Sequence, residues 1–182
     1  MPLPKLSESQ IEGLIQQVAG YIESQCHSYR DKATLLNTNQ KGVLAPFFPQ
    51  SVLDSTRVVV LADERVSNPG FYGDLVAMGF DPGSLPDFTK MAAITFLDIV
   101  VFHEPIENRF LFHELVHVVQ YDKLGLVEFA AKYVNGFLKG GSYDAIPLER
   151  NAYELDARFA KAPLSAFSVQ DEVQEWIDWE LF

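Results

Sequence analysis

The ten residues Phe110-Leu-Phe-His-Glu-Leu-Val-His-Val-Val119 constrain this chain more than any other stretch. They are apolar except at His113, Glu114 and His117. A helix that is apolar nearly all round is a buried helix. Burying two imidazoles and a carboxylate without partners costs of order 2–7 kcal/mol for each group. The fold must therefore supply something that satisfies all three, and the spacing His-Glu-x-x-His names a candidate. Histidines at i and i+4 lie about 40° apart round a helix, close enough to ligate one metal ion, while Glu114 points roughly 100° round toward the space beside it.

Catalytic zinc takes three protein ligands and keeps one position open, so a third ligand must come from elsewhere. Cys26 is the one cysteine, which rules out both an intramolecular disulfide framework and a Cys-rich zinc site. In the metzincin pattern a third His falls six residues after the second, but Lys123 stands there, and Gln120 stands where that pattern wants Gly. The helix after Pro147 is the better source, with Glu149, Glu154 and Asp156. Tyr153 and Asp156 share the face of Glu149, at roughly +40° and −20°, whereas Glu154 sits about 140° away. Small Ala152 near that face lets the two helices approach. Glu149 is therefore the expected ligand, with Asp156 as a partner for a ligating His. Asp122 lies on the wrong side of the metal helix.

This set implies a hydrolytic mechanism: zinc activates water and polarises a carbonyl, Glu114 is the general base, and Tyr143 or Tyr153 stabilises the oxyanion. Gln120, about 20° from His113 in projection and two turns on, supports the site from below.

The rest of the chain reads as one domain. Ser7-Glu-Ser-Gln10 is a capping box opening an amphipathic helix over 7–29, with Ile11, Leu14, Ile15, Val18, Tyr21 and Ile22 at helical spacing. Cys26 and His27 near its end are expected to be structural. Residues 31–50 read as a turn-rich connector. Arg57–Ala62 reads as a buried strand and Ala93–Phe102 as a second, whose edge is offered to an extended peptide. Between them, 63–90 is a long loop segment of the kind that carries function. His103 is expected to be a turn histidine. The metal helix is placed at 107–123, a further helix at 127–138, the third-ligand helix at 148–161 and a last one at 169–179.

Net charge is −11, from 14 basic and 25 acidic residues, which argues against a nucleic-acid or anionic-membrane partner. The first ten residues show no apolar signal core, and no apolar run is long enough for a bilayer, so a cytoplasmic location is the default expectation.

His113-Glu-Leu-Val-His117 followed by Glu149-Arg-Asn-Ala-Tyr153 resembles the gluzincin group of zinc metallopeptidases. The longer strings His113–Tyr121 and Pro147–Glu154 are similar to small bacterial proteins of minimal gluzincin type. The resemblance covers about residues 94–160. It implies an α+β zincin-like core, with a small twisted sheet, an edge strand beside the cleft, an active-site helix beneath it and a helical C-terminal part. It also implies one Zn2+ on His113, His117 and Glu149, and a peptide or protein substrate. Tyr153 stands where larger gluzincins often carry an acid, and fewer than 70 residues follow the motif, so their second domain is abbreviated here.

Two other readings stay open on sequence grounds. One is a zincin-fold metal-binding or scaffolding protein with little turnover. The other is a packed His pair with no metal at all. An amidase with the same zinc chemistry fits the motif equally well.

Overall fold

The computed structural model describes residues 3–182 and is an α+β arrangement built on a small mixed sheet. Helix α1 (Glu8–Arg30) opens with the expected capping box, Ser7 and Gln10 each bonding the other's backbone N–H. The segment read as a connector carries more structure than its composition signals. It contains β1 (Thr34–Leu35) and α2 (Thr38–Leu44), and α3 (Gln50–Ser55) starts at its end. A second capping box, Asn37 with Gln40, starts α2 and was there to be read. Strand β2 (Arg57–Val60) follows, then a loop segment interrupted by the short helix α4 (Tyr72–Ala77).

The stretch 93–102, expected as one strand, is two. Strand β3 (Ala93–Phe96) turns at Leu97-Asp98 into the antiparallel β4 (Ile99–Phe102). No glycine marks the turn; Leu97 itself takes φ 59°, a left-handed conformation that costs an L-residue of order 1 kcal/mol. Packing of Leu97 against the core offsets that cost. Asp98 is held by two bonds from the Arg30 guanidinium, at 2.6 and 3.1 Å. Asp98 therefore fixes the turn against α1.

The strand order is β1-β2-β4-β3, with β2 and β4 parallel. All four β4 residues are buried, as a central strand covered on both faces requires. Ile99 and Val101 pack with Ile22 and Cys26 of α1; Val100 and Phe102 pack with the helix that follows. Strand β3 is an edge. The bond from the His103 N–H to the Ala92 carbonyl sets the alternation, so Ala93 and Thr95 turn their backbone groups away from β4. The free edge expected for the long strand thus belongs to β3 alone.

Helix α5 (Asn108–Leu124) carries the histidines and is buried from Leu111 through Tyr121. Gly125, at φ 75°, is all that separates it from α6 (Leu126–Gly140). After a 3-10 turn at Tyr143–Ala145 come α7 (Pro147–Lys161) and α8 (Val169–Asp178). Among the described residues no helix is long and apolar enough to cross a membrane.

Close approach of α6 to the start of α7 depends on Gly136. A Cβ there would lie 2.6 Å from Pro147 Cδ, a ring atom that cannot swing aside. Alanine normally gains about 1 kcal/mol over glycine within a helix, but overpacking costs about 1–3 kcal/mol. Gly136→Ala is therefore expected to lower stability in chemical denaturation, and to weaken metal binding by shifting Glu149. A more stable variant would contradict this packing account.

Candidate metal centre

Two buried helices bring the site together. Phe112 of α5 stacks on Phe159 of α7 with ring centroids 4.4 Å apart, and Ala152 is fully buried between them, as its small size suggested. This places Glu149 of α7 over His113 and His117 of α5. The Nε2 atoms of the two histidines lie 3.3 Å apart, and Glu149 Oε2 is 3.6 Å from the first and 3.4 Å from the second. All three residues are buried.

The other ring nitrogens are already engaged. His113 Nδ1 lies 3.0 Å from Asp156 Oδ2, and His117 Nδ1 lies 2.8 Å from Gln120 Oε1. Both partners are acceptors, so each Nδ1 carries the proton and each Nε2 presents a lone pair. Two lone pairs and a carboxylate oxygen then converge on one point. Glu149 Oε2 makes no hydrogen bond despite being buried, an arrangement that costs free energy unless a cation sits among the three. Tetrahedral ligands at about 2.0–2.1 Å from zinc lie roughly 3.3–3.4 Å from one another. The observed separations fit that set, and the site can hold a metal ion.

Each ligand is braced further out. Asp156 also accepts from the half-exposed Arg109, at 2.8 and 3.1 Å. Gln120 donates to the Leu148 carbonyl and to Asn151, which ties His117 to the helix carrying Glu149. Arg109 was findable in the sequence, because it stands four residues before His113 on the same helix face. Thr95 was not. Its hydroxyl bonds Glu114 Oε2 at 2.7 Å from across the sheet edge, a contact no local spacing encodes.

Among the other expected residues, Glu154 is exposed on the far side of α7 and Asp122 is exposed on α5. Tyr143 lines the chamber beside the metal ligands together with Glu149. Tyr153 instead packs on the His113 ring at 4.5 Å with its side chain half-exposed. Tyr133 of α6 was missed, and also lines the chamber. Burial first, then the Glu149 charge, push the Tyr143 and Tyr133 phenols well above their ordinary range, so both remain hydroxyl donors. His103 is structural, with Nδ1 2.6 Å from the Met91 carbonyl and Nε2 accepting from the Val66 N–H. It pins both ends of the long loop segment to β4.

Without metal, protons take its place. Burial opposes the imidazolium of His113, but the bond to Asp156 and the nearby Glu149 carboxylate overcome it and raise the pKa to about 10. Glu149, despite burial, is held well below the carboxylate range by His117 and His113. A histidine raised above its unfolded value near 6.5 contributes stability that is complete below that pH and lost as pH rises through about 10. The metal-free chain should therefore melt at progressively lower temperature between those limits, with a shallower slope in Glu149→Gln. Metal competes with those protons, so its affinity should rise over the same window. Thermal unfolding in chelator checks the first, and a flat profile would count against a proton-filled site.

Comparison with protein-family models, with curated proteins and with solved structures returned no match.

Proposed function

We propose that this chain is a zinc-dependent hydrolase of gluzincin type, cleaving peptide bonds on a zincin-like core. The observation that carries the reading is the convergence of His113 Nε2, His117 Nε2 and Glu149 Oε2 on one point, with Glu149 Oε2 otherwise unpartnered. The two-His-one-carboxylate set with an open position is the donor chemistry of catalytic zinc. A zinc ion held there supplies Lewis acidity, polarising a carbonyl and acidifying water.

The chain's own residues do the rest. Glu114 shares the chamber wall with His117 and Glu149, next to the ligands but not among them. Thr95 donates to its Oε2, which fixes the carboxylate and leaves Oε1 to take a proton from attacking water and return it to the leaving amine. Tyr143 is favoured over Tyr153 as the hydroxyl facing the developing oxyanion, because Tyr143 lines the chamber. The outward backbone groups of Ala93 and Thr95 suit an extended substrate backbone laid along β3. The Tyr121 hydroxyl already reaches the Thr95 carbonyl, at 3.4 Å, which leaves the N–H groups and the Ala93 carbonyl as the available partners.

The test is cleavage of a peptide library by the zinc-loaded protein, with Glu114→Gln as the inactive control. Metal without cleavage would favour a zincin-fold binding protein instead.

A further inference from the structure

His117 and Glu149 face a chamber of about 110 Å³ at the free edge of β3. Helix α1 contributes Leu14 and Val18, the loop segment Leu75 and Phe88, and α6 Val134 and Phe137. Glu114, His117 and Glu149, with Thr95 and several tyrosines, are the polar residues of the lining, and no Lys or Arg lines the chamber among the described residues. The Tyr21 hydroxyl bonds the Ser67 carbonyl, and the Tyr21 ring meets Phe88 edge-on, so α1 and the loop segment close over the space together. The chamber is partly open to solvent, and an apolar recess with a few convergent polar groups is the usual form of a ligand site. Such a recess beside the candidate metal centre points to an apolar occupant.

We infer that this chamber selects the substrate, taking one uncharged branched aliphatic group of about four carbons attached beside the scissile carbonyl. The inference rests on the hydrolase reading above. Size and charge decide it. The space is smaller than the roughly 150 Å³ that admits benzene, which disfavours an aromatic group. With the Glu114 carboxylate and no Lys or Arg in the wall, a substrate carboxylate would be desolvated with no protein cation to pair with it. A carboxypeptidase-like use of the site, in which a cation grips a terminal carboxylate, is thereby disfavoured.

The experiment is a calorimetric binding series on the zinc-loaded protein, using hydroxamates that share the metal-binding head and differ in the attached group. Each additional carbon buried is worth roughly a fourfold gain in affinity. 3-Methylbutanohydroxamate should therefore bind about 50-fold tighter than acetohydroxamate. Phenylacetohydroxamate should bind less tightly than the isobutyl compound. The monohydroxamate of succinate should gain nothing over acetohydroxamate. Val18→Phe, which fills the chamber from α1, should erase the isobutyl advantage while metal content by elemental analysis stays at the wild-type level. Equal affinities for the methyl and isobutyl compounds on metal-loaded protein would overturn this inference and leave the metal centre standing. Failure of the wild type to load zinc would overturn the hydrolase reading, and this inference with it.

Discussion

A Glu149→Ala variant is expected to lose metal affinity by a factor on the order of 100 or more. Removing groups that only brace a ligand typically costs about 10–100-fold, and in the proposed centre Glu149 is one of three ligands rather than a brace. It is also the only anion among the three, so its loss removes the charge that offsets a buried divalent ion. Stability should report the same event. A ligand at about 1,000 times its Kd stabilises the native state by about 4 kcal/mol. For a chain of this size each kcal/mol moves Tm by about 2–4 °C. Zinc should thus raise the wild-type Tm by roughly 8–16 °C and leave that of Glu149→Ala almost unmoved. A variant that binds as tightly as wild type would remove Glu149 from the set of ligands. Attention would then pass to Asp156, which is already committed to His113 and Arg109.

The second large effect is on turnover. Glu114→Gln should lower kcat on a cleaved peptide by about 10²–10⁴, the usual contribution of a positioned base, without changing metal content. Glutamine keeps the size of the side chain and can still accept from Thr95, so the helix and the ligands should not move. What it loses is the basic oxygen. Unchanged kcat would show that Glu114 is not the base, even if the metal is present. Loss of metal along with activity would show instead that this side chain holds the ligand geometry.

Much of the site was legible in the sequence because it is written in helical periodicity. His113 and His117 share a face by their spacing, and Glu149 and Asp156 share one by theirs. Ala152 announced the close approach of α7. Gln120 fell in projection near His113, and the structure attaches it to His117. What stayed hidden depends on contacts between elements. Thr95 reaches Glu114 across 19 residues of sequence, and Tyr133 reaches the chamber from a helix to which the sequence assigned no part in the site.

The fold followed the same division. The long helices stood out by their apolar stripes and caps. The hairpin at Leu97-Asp98 did not, because a leucine in a left-handed turn carries no local signal and the apolar run continues straight through it. Only the pairing of Ala93 with Phe102 and of Phe96 with Ile99 reveals it. The consequence is functional, since the hairpin makes β3 an edge strand and puts Thr95 beside Glu114.

The measurement closest to the central claim is the zinc content of the purified wild-type chain by elemental mass spectrometry, after loading and removal of excess metal. A set of two imidazoles and one carboxylate predicts about one ion per chain. No retained metal would contradict the account. The convergent nitrogens and carboxylate would then be a proton-filled polar cluster in the core, and the chain would not be a metallohydrolase.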